Sequence, residues 1–176
     1  MTVLTTARLR LRPVQSEDVP ILLRHWSRPL VRRWLWDDRL PTLDDVRSVV
    51  ESSTRSWQQA DYGFWIIEPR QMVHCIGTVG FREASWETGV CELVYSLDPA
   101  WWGNRLATEA GRAVIAWGFE KHPWPRIVGA TDTPNRASAR VLERIGMRFV
   151  REGTLEPDLP TVFYEINKPQ VDRRTD

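Results

Sequence analysis

Residues 91–110, with the sequence CELVYSLDPAWWGNRLATEA, contain the strongest structural signal in the chain. The part from Cys91 to Leu97 is β-prone and alternates in polarity, and Asp98-Pro99 ends it. After Gly103, apolar residues recur with helical spacing at Leu106, Ala107, Ala110 and Val114. The pattern therefore predicts a strand that leads through a short turn into a helix. The first turn of a helix has unpaired N–H groups and the positive end of its dipole, so this turn is a candidate phosphate site.

The segments on either side predict a single α/β domain. Hydrophobic periodicity gives the element order β-α-α-β-β-β-α-β-α-β-β, which indicates a mixed, partly antiparallel α/β sheet. The segment 31–38 between the first two helices is interpreted as an aromatic connection. We expect the domain to cover residues 1–168, followed by a polar, frayed tail at residues 169–176.

Composition excludes several classes of protein. The 176 residues carry a net charge of +1, so no general affinity for nucleic acids is expected. The two cysteines lie in strand-like runs and the three histidines lack ligand spacing, so neither a disulfide framework nor a metal site is predicted. We find no apolar run long enough to span a bilayer and no signal peptide, and we therefore expect a cytoplasmic protein that does not bind membranes.

The turn after Asp98-Pro99 does not match the common nucleotide-binding motifs. Neither G-x-x-x-x-G-K-[ST] nor G-x-G-x-x-G follows a strand, which disfavours a nucleoside triphosphate or a dinucleotide. Taken alone, Gly103 fits a helix start without a ligand equally well.

A second stretch, TPNRASARVLERIGM at residues 133–147, favours one ligand. Together with residues 91–110 and the opening L-x-x-x-R-L-x-L-R-P-V (residues 4–14), it resembles the GNAT superfamily of acyl-CoA-dependent N-acetyltransferases, in particular the RimJ/RimL-like branch. The matching positions are Trp102, Gly103, Ala107, Thr108, Glu109, Ala110, Asn135, Ser138, Glu143, Arg144, Gly146 and Met147.

The resemblance implies the GNAT fold, a mixed, mostly antiparallel, twisted sheet flanked by helices, with acetyl-CoA as co-substrate. It also implies which residues contact CoA: Tyr95, Ser96, Leu97, Trp102, Gly103, Asn104, Arg105, Leu106, Ala107, Thr108, Asn135 and Ser138. One position departs from the family pattern, because Arg105 replaces the second glycine of the turn. Its guanidinium could pair with phosphate, point to solvent, or crowd the ligand through its Cβ; we expect CoA binding to be retained.

Acetyl transfer to an amine requires a group that accepts a proton, because amines are protonated near pH 7. Glu92 is the candidate base, since the resembling branch often has a glutamate there and its neighbours on the strand are apolar. An exposed structural carboxylate is an equally good interpretation of Glu92, and Glu152 and Glu156 are weaker candidates.

The departing thiolate requires a proton donor, for which the resemblance implies Ser138. Tyr95 or Tyr164 could donate instead, and Ser138 could simply bond its own helix backbone.

The binding site for the acceptor amine is the part of the active site that the sequence determines least. Of the ten tryptophans, Trp26, Trp57 and Trp117 have the spacing of core residues. Trp34, Trp36 and Trp65, together with Trp86, lie in segments that surround the acceptor in such folds, and Trp34 and Trp36 could also form a homodimer contact.

The sequence thus predicts an N-acetyltransferase that moves an acetyl group directly to a primary amine, either a protein N-terminal residue or a small molecule. An aminoacyl-tRNA acceptor is disfavoured by the near-neutral charge. The alternative is a non-catalytic acyl-CoA-binding or interaction module on the same fold, with Arg105 as the sign of lost activity.

Overall fold

The computed structural model describes residues 1–155 and 159–169, which form eight strands and five α-helices. The strands are β1 (Leu4–Thr5), β2 (Leu9–Pro13), β3 (Phe64–Pro69), β4 (Gly77–Glu83), β5 (Cys91–Leu97), β6 (Arg126–Asp132), β7 (Arg148–Thr154) and β8 (Pro160–Asn167). The helices are α1 (Val19–Trp26), α2 (Pro29–Leu35), α3 (Leu43–Ala60), α4 (Leu106–Lys121) and α5 (Arg136–Ile145). Glu156 and nearly all of the predicted tail lie outside the described residues.

The strands form one sheet in the order β1-β2-β3-β4-β5-β6-β8-β7. Every pair is antiparallel except β5 and β6, so the predicted mixed, mostly antiparallel sheet is confirmed. The parallel pair is short, because only Cys91 and Glu92 have partners, Ile127 and Val128. Beyond Glu92 the two strands part, and the sheet opens at its centre.

Helices cover both faces of the sheet, and each face has its own apolar cluster. On one face α4 and α5 pack Val114 and Leu142 into a cluster that includes Leu93 and Ile127 of the sheet. On the other face α1, α2 and the first half of α3 pack against the sheet, with Leu22 and other buried side chains around Ile66. Because successive strand residues face opposite sides, the odd-numbered side chains of β5 face α4 and the even-numbered ones face α2.

The interpretation of residues 31–38 as a connection is wrong in part, because the segment contains most of α2. Pro29 occupies the first turn of this helix, where its missing N–H costs no hydrogen bond. Val31 is buried against α1, and Trp36, just after the helix, lies 5.8 Å from Trp26 between ring centroids. A helix of seven residues shows barely two apolar repeats, which is why periodicity missed it.

Helix α4 begins at Leu106, three residues later than the sequence predicts. Gly103 and Arg105 both have left-handed backbones, with φ of 78° and 61°, and such residues do not continue a right-handed helix. Glu109 then fixes the helix to the N-terminal segment, accepting hydrogen bonds from the Thr6 hydroxyl at 2.6 Å and from the Arg8 N–H at 2.9 Å.

Strand β4 starts at Gly77 and extends to Glu83. In the described part of the chain, no helix is both long enough and apolar enough to span a membrane.

Candidate active site

A cleft of about 840 Å³ occupies the gap between β5 and β6. Its walls come from the parted strands, from α2, from the starts of α4 and α5, and from the segment between β7 and β8. The cleft closes near Glu92, the last residue of β5 that pairs with β6, and widens toward the start of α4.

The backbone of β5 lines the cleft with hydrogen-bonding groups that lack a strand partner. In an antiparallel strand the N–H and C=O of one residue point to the same side, and the side alternates along the chain. The N–H of Asp98 bonds to Ile76, which precedes β4, so even-numbered residues point to β4. The N–H groups of Leu93, Tyr95 and Leu97 therefore point to β6. That of Leu93 takes part in the pairing of Glu92 with Val128, and those of Tyr95 and Leu97 face the cleft.

One of these backbone groups already has a side-chain partner. The indole N–H of Trp102 donates to the Leu97 carbonyl at 2.7 Å. This bond places the half-exposed Trp102 ring at the wide end of the cleft, next to Gly103.

The start of α4 forms the wide end. Arg105 is the N-cap residue with its left-handed backbone, and Leu106, Ala107 and Thr108 follow in the first turn, where N–H groups lack helical partners. Arg105 is exposed and lines the cleft, and it forms no ion pair with another described residue.

The α5 side of the cleft is strongly basic. Three arginines four residues apart on α5 line it together with Arg105; they are Arg136, Arg140 and Arg144. The four positive charges and the helix N-terminus of α4 together favour a polyanion at this end.

Glu92 lies at the narrow end and is buried, with 4 % of its surface exposed. Its Oε2 accepts a hydrogen bond from Nε of Arg82 at 2.6 Å, across the β4–β5 pair. Burial raises the pKa of the Glu92 carboxyl, and the charge of Arg82 offsets part of that rise. Of the two interpretations of Glu92 left open by the sequence, the exposed carboxylate is therefore wrong.

Ser138 of α5 and Tyr95 of β5 contact each other in the cleft. The Tyr95 hydroxyl is 2.7 Å from Ser138 Oγ and donates to the Ser138 carbonyl at 3.0 Å. Asn135 caps α5, since its Oδ1 accepts from the Ser138 N–H at 3.1 Å. Tyr164 lies outside the cleft lining, with its hydroxyl directed to Glu143, and Glu152 also lies outside it.

The structure brings together most of the residues that the resemblance implies for CoA. All of them line the cleft except Asn104, whose side chain instead bonds the carbonyls of Trp101 and Trp102. Ser96 lines it through its side chain only, because its N–H and C=O point to β4.

The tryptophans divide into two groups. Trp34 lines the cleft, whereas Trp36 packs on α1. Trp65 is fully buried and stacks edge-on against Trp57 and Trp117, so it is not available to an acceptor. Trp86 packs on Phe163 of β8 outside the cleft. Trp26, Trp57 and Trp117 are buried as predicted.

Two partners of the site residues were not identified from the sequence. Arg82 pairs with Glu92, and the β4–β5 hairpin register would have predicted that cross-strand charge pair. His25 of α1 bonds Ser96, a contact between residues 71 positions apart for which the sequence offers no local signal. Among the residues that the structure describes, no three His, Cys, Asp or Glu side chains are grouped as metal ligands.

A sequence model of the acetyltransferase (GNAT) domain matches residues 8–148. The chain belongs to the GNAT acetyltransferase family. An uncharacterized N-acetyltransferase of Bacillus subtilis, YoaA, is 28 % identical over 175 residues, which cover 96 % of this chain and 98 % of that protein. By family, the chain is therefore an acyl-CoA-dependent N-acetyltransferase.

Solved structures agree with this assignment. An acetyltransferase from Agrobacterium tumefaciens is 27 % identical, with a TM-score of 0.80 over 95 % of each chain. RimL, a ribosomal L7/L12 α-N-protein acetyltransferase solved with coenzyme A, has a TM-score of 0.79 at 16 % identity, covering 94 % of this chain and 98 % of that one. AAC(6')-Ib, solved with ribostamycin and coenzyme A, has a TM-score of 0.76 at 22 % identity, covering 91 % and 93 %. At these low identities the last two support the GNAT fold.

Proposed function

We propose that this GNAT protein transfers an acetyl group from acetyl-CoA directly to a primary amine, without a covalent enzyme intermediate. The observation that carries the proposal is the cleft between β5 and β6. It joins a basic, anion-binding end at α4 to a buried carboxylate, Glu92, at its narrow end.

The residues present fit CoA along the whole cleft. Acetyl-CoA, when bound, supplies an activated acetyl thioester and a thiolate leaving group. The α4 N-terminus and the four arginines suit its phosphates. The cleft-facing N–H groups of Tyr95 and Leu97 have no partner in the β5–β6 pairing and can bond amide and thioester oxygens.

Glu92 is the proposed base. It faces the α2 side of the sheet, opposite α4, so an amine that enters beside Trp34 reaches it without crossing the CoA site. Because burial raises the pKa of Glu92, its ionised carboxylate has a higher affinity for protons and removes a proton from the amine more readily. The bond from Arg82 holds the carboxylate in place, and the charge of Arg82 favours the ionised form over the protonated one.

Ser138 and Tyr95 are the proposed source of the proton for the thiolate. Both hydroxyls line the cleft 2.7 Å apart, so either one can donate while the other replaces its proton. The contact between the two hydroxyls supports Ser138 and Tyr95 as candidates, whereas the position of Tyr164 outside the cleft lining disfavours it as the donor.

Two kinds of acceptor remain in the proposal. RimL acts on a protein N-terminus, and AAC(6')-Ib was solved with the small molecule ribostamycin. Both present a primary amine, and the basic and apolar walls of this cleft are compatible with either. A homodimer remains a prediction.

The proposal is tested first by binding and then by turnover. Calorimetric titration should show saturable binding of acetyl-CoA and of CoA but not of ATP. Turnover is then measured with three amines: spermidine, ribostamycin and a peptide with a free N-terminal serine. Binding without turnover of any amine would favour the non-catalytic alternative, and no binding would contradict both.

Variants assign the roles in the same assay. Glu92→Gln should lower kcat by about 10² or more and leave the KM for acetyl-CoA nearly unchanged. The matched control is Glu165→Gln, which also removes a strand carboxylate that pairs with an arginine, Arg126, but lies outside the cleft. Turnover near the wild-type value in Glu92→Gln would exclude it as the base. Ser138→Ala and Tyr95→Phe distinguish the two candidate donors by which lowers kcat more.

A further inference from the structure

A buried chain of three polar side chains crosses from α1 to the cleft. His25 Nε2 lies 2.9 Å from Ser96 Oγ, and Thr78 Oγ1 lies 2.9 Å from the same oxygen. His25, Ser96 and Thr78 are 5 %, 8 % and 4 % exposed. Neither the proposed base nor the proposed donor is part of this network.

Ser96 is the member of the network that reaches the cleft. It follows Glu92 by four residues on β5, so the two side chains share the face of the sheet that α2 covers. On that face the cleft is walled by Val31 and Trp34 of α2. The phosphate-binding start of α4 belongs to the opposite face, so the side chain of Ser96 lies on the side where the acceptor enters.

The number of hydrogen atoms in the network limits which hydrogen bonds Ser96 can form with a ligand in the cleft. A serine hydroxyl has one hydrogen and two lone pairs. Either hydroxyl can be the donor in the contact between Thr78 and Ser96, and the tautomer of His25 sets the role of Nε2. When Thr78 donates to Ser96 and Ser96 donates to the Nε2 of a neutral His25, one lone pair of Ser96 remains for a ligand in the cleft.

We propose that Ser96 binds the acceptor, accepting a hydrogen bond from its amino group, and that His25 and Thr78 are positioning residues that hold the Ser96 oxygen for this contact. The proposal rests on the amine acetyltransferase function. It changes the role of Ser96 from the CoA contact implied by the resemblance to an acceptor contact.

The surroundings of His25 keep the network in this arrangement. Burial lowers the pKa of His25 to about 4, so the ring is neutral and its Nε2 can accept. Asp98 and Arg28, which pair with each other, act on the His25 pKa in opposite directions: Asp98 raises it and Arg28 lowers it. Desolvation is the largest cause of the shift.

The first test needs no acceptor. Nitrogen NMR of the histidine-labelled protein at pH 7 should show His25 as a neutral ring with an unprotonated Nε2. A protonated Nε2 would make His25 the donor in its contact with Ser96 and would overturn this arrangement of the network.

The second test is kinetic and uses the amine among spermidine, ribostamycin and the N-terminal serine peptide that the wild type acetylates best. Ser96→Ala should raise the KM for that amine about tenfold, as expected for one lost hydrogen bond, with little change in the KM for acetyl-CoA. His25→Phe and Thr78→Val should raise the same KM, whereas His25→Gln, which retains an acceptor atom, should restore most of it.

Ser53→Ala is the matched control. Ser53 is also buried and accepts a hydrogen bond, from the Phe64 N–H at 2.8 Å, but it lies outside the cleft, so this variant should lose stability without a change in either KM. Normal KM for the amine in Ser96→Ala, or a raised KM for acetyl-CoA instead, would overturn the inference alone. Absence of turnover of all three amines by the wild type would overturn the proposed function and the inference with it.

Discussion

Arg105 holds a backbone conformation that glycine adopts freely and that costs other residues about 1–2 kcal/mol. Its φ is 61°, at the turn where the family pattern has glycine. The Arg105 side chain is exposed beside the α4 N-terminus and lines the cleft, so this strained residue places a positive charge at the proposed phosphate-binding end. The backbone is therefore left-handed at this position although arginine stands in place of glycine.

Arg105→Gly removes both the backbone strain and the positive charge, and two different measurements report the two effects. We expect Arg105→Gly to raise the free energy of unfolding by up to about 1 kcal/mol, because the strain is removed and part of the gain is offset by the flexibility of glycine in the unfolded chain. The same variant should weaken acetyl-CoA binding, because a cation is lost. Denaturant unfolding and calorimetry measure the two effects.

Asp61→Gly provides the control for Arg105→Gly. Asp61 also has a left-handed backbone, with φ of 54°, but at the end of α3 away from the cleft. Asp61→Gly should change the free energy of unfolding without changing the affinity for acetyl-CoA. Unchanged acetyl-CoA affinity in Arg105→Gly would exclude a phosphate contact by the guanidinium.

Strand β5 and helix α4 were predictable from the sequence because their signals are local. Alternation, the Asp98-Pro99 break and the helical spacing after Gly103 all lie within residues 91–110. The short helix α2 was not predictable, because it depends on packing against α1. The late start of α4 was not predictable either, because it depends on the backbone angles of Gly103 and Arg105. The same limit applies to the site, where Glu92 was found by resemblance but its burial and Arg82 partner required the sheet register.

The alternating backbone of β5 gives a prediction that belongs to the strand as a whole. The N–H groups of Tyr95 and Leu97 face the cleft, whereas those of Val94 and Ser96 bond β4 and that of Leu93 bonds β6. In amide hydrogen exchange, acetyl-CoA should slow the exchange of the Tyr95 and Leu97 amides strongly and that of the Val94 and Ser96 amides little. Uniform slowing along β5 would instead indicate general stabilisation, and no slowing would contradict a ligand seated along this strand.

At the scale of the molecule, the two faces of the sheet differ in polarity. The face under α1 and α2 buries charged and polar groups, among them His25, Asp18 and Glu68. The sequence does not predict this, because the partners of each group come from distant segments. Such a face makes global stability depend on pH.

We expect the free energy of unfolding to fall as the pH decreases from about 6.5 to about 4. The folded protein binds a proton on His25 only near pH 4, whereas the unfolded chain does so near the ordinary pKa of 6.5. Acid therefore favours the unfolded state in this window, by up to about 3 kcal/mol, and above the window this contribution is constant.

Comparison of denaturant unfolding at several pH values in wild type and His25→Gln measures this term. The raised pKa of Glu92 acts in the opposite direction, but both proteins share it. Asp45, whose pKa is lowered mainly by Arg39, loses its contribution only below this window. Equal slopes for the two proteins would contradict the assignment to His25.

The parted strands have a consequence for the life of the protein in a cell. A sheet joined at its centre by two residue pairs leaves unpaired strand backbone in the empty protein, a feature that invites local opening and recognition by proteases. With acetyl-CoA seated there, the folded state gains about 2.7 kcal/mol when the ligand is present at a hundred times its Kd. The amount of this enzyme that survives proteolysis would then follow the supply of its own acetyl donor, so that scarcity of acetyl-CoA lowers both the rate per molecule and the number of molecules.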